Sequence, residues 1–137
     1  MDVVETVTAL LYQHPAVTDV ELVGSRGRDT ATALSDWDFR VDSDKVDQLV
    51  VDLPALVQEL DPLAAQWDRL ADRGVFMVVL RGGIKVDLFP GDLRHAIEPP
   101  WKPDASNLRD VDAHFWDWAL WLGKCLTASP PPAPPRA

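Results

Sequence analysis

The run Asp36-Trp37-Asp38-Phe39-Arg40-Val41 constrains this chain more than any other stretch. Carboxylate, aromatic, carboxylate, aromatic, cation and aliphatic side chains follow one another with period two, the repeat of an extended strand whose successive side chains point to opposite faces. Trp37, Phe39 and Val41 therefore need a buried face, while Asp36 and Asp38 share the other. A sheet built round such a strand has a hydrophobic core on one side and two like charges on the other. Neighbouring carboxylates are tolerated in water or with a cation between them, and are costly otherwise.

The flanking segments supply what such a strand needs. Val3, Val7, Leu10 and Leu11 form one stripe at helical spacing before Pro15, predicting an amphipathic helix over 3–13. Val17, Val20, Leu22 and Val23 predict a strand that ends in a tight turn at Gly24. From Asp44 to Leu60 the apolar set that includes Val46, Leu49, Leu53 and Val57 keeps helical spacing across Pro54, predicting a kinked helix or two short ones. Leu63, Trp67 and Leu70 predict another helix, closed by Gly74. Val75–Leu80 and Ile84–Phe89, joined by Arg81-Gly82-Gly83, predict an antiparallel hairpin. The expected class is α/β in the α+β sense, a small mixed sheet flanked by helices.

After a loop-rich connector, Pro90–Pro103, one helix is predicted over Asn107–Leu126. Val111, Phe115, Trp118, Leu122 and Cys125 form one stripe of it, and Trp116, Leu120 and Trp121 lie on other faces. A helix apolar on most sides requires burial on most sides. Thr127–Ala137 carries five of the 12 prolines and predicts an unfolded or polyproline tail. At 137 residues the expectation is a catalytic domain over 1–103, the helix over 104–126 and the tail over 127–137.

Thirteen Lys plus Arg against 22 Asp plus Glu leave a charge of -9, so a phosphate backbone finds no basic excess and nucleic acid is not the expected partner. The same field favours cationic small molecules and basic proteins. Cys125 is alone and is read as a packing residue, and His14, His95 and His114 lack zinc-like spacing. There is neither a signal-like start nor an apolar run of about 18 residues, so a cytoplasmic protein without a membrane span is expected.

The chemistry concentrates in VGSRGRDTATALSDWDF, residues 23–39. Gly24 and Ser25 close a strand and open a predicted helix, where backbone N–H groups and a serine hydroxyl can meet phosphate, glycine permitting close approach. Such a turn by itself is also that of an ordinary capped helix. Asp36 and Asp38 suit magnesium shared with nucleotide phosphates, or else the wet side of an amphipathic strand. A third carboxylate, Asp87, stands in the hairpin, with Lys85 on its face and Ile84, Val86 and Leu88 opposite. Arg26, Arg40 and Lys85 are candidate phosphate contacts, and as isolated side chains they would be solvated.

Gly-Ser, ten residues, Asp-aromatic-Asp-aromatic, then a later hydrophobic-Asp-hydrophobic strand resembles the nucleotidyltransferase superfamily related to DNA polymerase beta, in particular its small bacterial aminoglycoside and minimal members. The resemblance spans roughly Val17–Phe89. It implies the nucleotidyltransferase fold, a nucleoside triphosphate bound by Gly24, Ser25, Arg26 and Lys85, and magnesium, two ions, held by the catalytic Asp36, Asp38 and Asp87. Asp87 is then either general base or second-metal ligand. The implied reaction moves a nucleoside monophosphate, AMP from ATP, to a hydroxyl of a small molecule such as an aminoglycoside, as in antibiotic resistance. The alternatives are a toxin–antitoxin role, in which the chain binds or nucleotidylates a helical toxin, and an inactive remnant. Relatives of the aminoglycoside type carry a helical second domain after the catalytic one. Here the expectation is that most of it is missing, or that a second copy or a helical partner covers Trp116, Trp118 and Trp121.

Overall fold

The computed structural model describes residues 1–95 and 102–127, so the proline-rich tail beyond Thr127 and the middle of the 90–103 connector lie outside the described residues. The elements run α1 (Val3–Leu11), β1 (Val17–Val23), α2 (Gly24–Gly27), β2 (Trp37–Ser43), α3 (Val46–Leu56) with a 3-10 turn (Val57–Leu60), β3 (Ala64–Trp67), β4 (Phe76–Leu80), β5 (Ile84–Pro90) and α4 (Leu108–Thr127). The strands form one mixed sheet in the order β1-β2-β5-β4-β3. All neighbours are antiparallel except β2 and β5, which run parallel.

One face of the sheet behaves as the alternation in β2 requires. Phe39, Val41, Val86, Leu88, Phe76 and Val78 point into a core completed by Val3, Val7 and Leu11 of α1 and by Leu49, Leu53 and Val57 from α3 and its 3-10 turn. The side chain of Asp2 caps α1 by accepting from the Glu5 N–H at 3.0 Å. Pro54 sits inside α3, which continues for two residues and then tightens into the 3-10 turn. That outcome matches a helix losing one backbone donor near its C-terminal end.

The helix predicted from Leu63, Trp67 and Leu70 is a strand instead. Ala64–Trp67 pairs antiparallel with β4, and Trp67 lies opposite Phe76 with the rings edge to face, centroids 5.0 Å apart. Local propensity at Ala64-Ala65-Gln66 favours helix. Tertiary context overrides it, because β4 is buried at all five positions and would otherwise expose an apolar edge. The following turn is closed by Asp68, whose carboxylate accepts from the Leu70 N–H at 2.9 Å. The predicted hairpin is present, with Gly82 and Gly83 at φ +84° and +75°, conformations that favour glycine.

α4 crosses the other face. Ala113, Trp116 and Leu120 pack on Ala64, Met77 and Val79, forming a second, smaller core. Trp116 therefore faces the sheet, and the three tryptophans do not make one outer surface. The exposed apolar row consists of Leu108, Phe115, Trp118, Leu122 and Leu126. Among the described residues no helix is long and apolar enough to cross a membrane.

Candidate active site

The site stands where β1, β2 and β5 meet beneath the C-terminal half of α4. Parallel pairing sets Asp38 opposite Asp87 and Trp37 opposite Val86. Paired residues share a face, so the two carboxylates project together, and Asp36 and Lys85, each two residues earlier, join them. Two carboxylates 49 positions apart in the chain thus become strand neighbours, on the face opposite Phe39 and Leu88.

Gly24 occupies the other side of this group. Val23 pairs with Asp38, and Gly24 leaves the strand at φ +66° with the Asp38 carboxylate packed against its Cα, in space that a Cβ would fill. Glycine is required twice there, by the backbone angle and by the carboxylate. The predicted helix after Gly-Ser is only the single turn Gly24–Gly27, too short to build an appreciable helix dipole. The contribution of this segment is the close approach at Gly24 and the Ser25 side chain.

Ser25 lines a cleft of about 510 Å³ together with Ser35, Asp36, Asp38, Lys124 and Thr127. Arg26 shapes its wall. The Arg26 guanidinium stacks on Trp37 at 3.7 Å and donates to the Ser35 carbonyl at 2.8 Å and to those of Thr32 and Ala33 at 3.3 Å. Arg26 was expected to meet phosphate; in this structure its donors hold the 32–35 loop. Arg40, two residues beyond Asp38 on the same face of β2, pairs with Glu21 at 2.7 Å and with Asp42 at 3.4 Å.

Lys85 lies inside the carboxylate group. Its ammonium is 2.8 Å from Asp117, 3.1 Å from Asp87 and 3.6 Å from Asp36. Lys124 forms an ion pair with Asp36 on the cleft side. Burial pushes the Asp87 carboxyl up to about 7 despite Lys85 beside it. Burial first, and repulsion from Asp36 second, also raise Asp38. Lys85 moves the other way from what burial alone would do, because three carboxylates surround it, and its proton is held firmly.

Asp117 and Lys124 were not anticipated. Both come from α4, seven residues apart and so on one side of the helix two turns from each other. Two opposite charges at that spacing, in a helix otherwise apolar on most faces, were the available signal.

The donor set suits a hard divalent cation. All its ligand atoms are carboxylate oxygens, and Asp87 Oδ1 is buried with no hydrogen-bond partner. Among the described residues, however, no three acidic, histidine or cysteine side chains are gathered at metal-holding distance. Lysine ammoniums stand between the carboxylates.

No protein-family model matches the chain, and no curated protein sequence matches it. Among solved structures, the polymerase core of TRAMP, an RNA surveillance complex, is similar at a TM-score of 0.50 and 18% identity, over 89% of this chain and 39% of that one. The chain thus shares with part of that core its fold, a mixed five-stranded sheet flanked by helices. At that identity the likeness is one of fold, and this chain spans well under half the length of the polymerase core.

Proposed function

We propose that the chain is a nucleotidyltransferase that moves a nucleoside monophosphate from a nucleoside triphosphate to a hydroxyl group. The observation that carries this reading is the pairing of Asp38 with Asp87, with Asp36 on the same face and a cleft opening directly onto Asp36 and Asp38. Asp36 and Asp38 would hold magnesium, and Asp87 would complete its ligands or act as base. When bound, the metal would neutralise charge on the triphosphate and on the departing pyrophosphate. Ser25 and Lys124 line the cleft where the phosphates would lie, one offering a hydroxyl donor and the other a positive charge.

In the transfer, a bond forms between the acceptor oxygen and the α-phosphorus, and the bond from that phosphorus to pyrophosphate breaks. In the role of base, Asp87 would take the hydroxyl proton, a task that a carboxyl raised by burial to about 7 suits near neutrality. Arg26 keeps the 32–35 loop in place and so preserves the cleft wall. The net charge of -9 favours a cationic acceptor, and an aminoglycoside is the acceptor class this reading puts first.

The test is incubation with α-labelled ATP, CTP, GTP or UTP, magnesium and a panel of hydroxyl acceptors that includes aminoglycosides. Label transferred to an acceptor by the wild type and lost in Asp36→Ala with Asp38→Ala supports the reading. No label with any acceptor, or transfer unchanged in the double variant, overturns it.

A further inference from the structure

The four carboxylates of the site come from β2 and the residue before it, from β5 and from α4, and only one of them faces the others from the helix. Asp36, Asp38 and Asp87 project from the sheet, while Asp117 reaches down from the helix that crosses it. Asp117 pairs with Lys85 at 2.8 Å, the shortest of the three Lys85 ion pairs. Lys85 and Asp117 are both mostly buried, with side chains 12% and 16% exposed, so neither is a loosely hydrated surface group. With all four carboxylates ionised, Lys85 and Lys124 balance two of the negative charges, leaving an excess that one divalent cation would match.

A cation taken up by Asp36, Asp38 and Asp87 would meet the Lys85 ammonium beside two of its ligands. Like charges at such range in a partly desolvated site repel strongly. The ammonium lies 3.6 Å from Asp36 and 3.1 Å from Asp87, two of those ligands. It needs a negative partner outside the metal's ligand set, and Asp117 is already in contact with it. Leu120, one turn further along α4, packs on the second core and holds the helix against the sheet, which fixes the height of Asp117 above Lys85.

We propose that Lys85 is a built-in counter-ion that a divalent cation displaces from Asp36 and Asp87, and that Asp117 is the positioning residue that retains the displaced ammonium. The inference rests on the metal-site reading above and extends it to α4. It makes the last helix part of the metal-loading equilibrium, and it accounts for an acidic side chain between two tryptophans.

A double-mutant cycle on Mn2+ affinity separates this from a general charge effect, with free Mn2+ followed by electron paramagnetic resonance on the full chain without nucleotide. Asp117→Asn should weaken binding about tenfold and Lys85→Met should strengthen it, because the competitor is gone. In the Lys85→Met background, Asp117→Asn should change affinity by less than about twofold, since nothing is left to hold. Asp117→Glu should restore most of the affinity, as it keeps the charge with a slightly longer reach. Melting of every variant is monitored in parallel, and Lys85→Gln replaces Lys85→Met if the latter does not fold. Equal effects of Asp117→Asn in both backgrounds, or weaker Mn2+ binding on loss of Lys85, would overturn the proposal while leaving the metal site standing. Absence of Mn2+ binding by the wild type would overturn the metal-site reading and the proposal with it.

Discussion

The two faces of the sheet are built on opposite principles, although the same strands supply both. On the α1 and α3 side, Phe39, Val41, Leu49, Leu53, Val57, Val78 and Val86 have no measurable exposure, and the face is closed by aliphatic and aromatic packing alone. On the α4 side, the apolar cluster is confined to Ala64, Met77, Val79 and Ala113 with Trp116 and Leu120, beside buried Gln66 and His114 and an ionic group of four aspartates and two lysines. The first face stabilises the fold by removing apolar surface from water. The second keeps carboxylates partly desolvated, which opposes folding and makes them responsive to a cation. Stability and chemistry are therefore separated by a single residue step along β2 and β5.

That separation is most easily broken on β2. Phe39→Ala should destabilise the protein by about 3–5 kcal/mol, the range for truncating a fully buried aromatic side chain. Its neighbour Asp38→Asn should leave the denaturation midpoint unchanged or raise it, because it relieves a buried charge repelled by Asp36. The same variant should lower nucleotidyl transfer by about a thousandfold or more, the scale of losing several kcal/mol of metal-assisted stabilisation. Urea denaturation and a labelled-nucleotide assay on the pair decide this. If Asp38→Asn destabilised as severely as Phe39→Ala, the two faces would not be independent.

Periodicity made the first face legible, and the second only in part. The alternation in β2 and the apolar stripe of α1 each point to one buried side, and those sides meet. Period two put Asp36 and Asp38 on one face, Asp87 was joined to them through the resemblance to nucleotidyltransferases, and the parallel pairing of β2 with β5 is what brings it alongside. What local pattern could not show was long-range pairing. Nothing near Ala64 indicates that β4 has an apolar edge in need of a partner, and nothing near Asp117 or Lys124 shows which side of α4 meets the sheet. The stripe Val111, Phe115, Trp118, Leu122 and Cys125 looks like a core-facing row, yet Phe115 is 64% and Leu122 56% exposed. A helix apolar on several sides does not declare which side is used. Arg26 was legible as a cation near the Gly-Ser turn, but its three carbonyl partners are created by the fold of the 32–35 loop.

Gly24 is where the two principles touch, and its substitution sharpens the comparison. Gly24→Ala should cost roughly 2 kcal/mol, from the left-handed backbone and from contact with the Asp38 carboxylate. Unlike Phe39→Ala, it should also weaken Mn2+ binding in the molecules that remain folded, because Asp38 must move to admit the methyl group. Denaturation and Mn2+ titration of one preparation measure both. A loss of stability with Mn2+ affinity intact would show that Asp38 has room to relax and that the glycine serves the turn alone.

Per pH unit, the smallest effect is the dependence of stability on pH in the metal-free protein, and its sign distinguishes the faces. Asp87 titrates near 7 in the folded chain, against 3.8 for an ordinary aspartate, and Asp38 is raised as well. Between those values the folded state binds more protons than the unfolded state, so this contribution to stability is fully present below about pH 3.8 and is lost as the pH rises through about 7. The limiting slope for one such proton is a fall of about 1.4 kcal/mol per pH unit. Asp52 and Asp104, whose carboxyls are lowered by hydrogen bonds from His14 with Gln48 and from Ser106, act in the opposite sense but only below the ordinary aspartate range. Urea denaturation at pH 5, 6 and 7 in the presence of chelator should thus show stability declining with pH, and Asp87→Asn should flatten the decline. Saturating Mn2+ should flatten it too, since a bound cation favours the ionised carboxylate. Stability that rose across this interval would place Asp87 in a wetter setting than its burial on β5 gives it, and would remove the contrast between a face that stabilises the fold and a face held in readiness for charge.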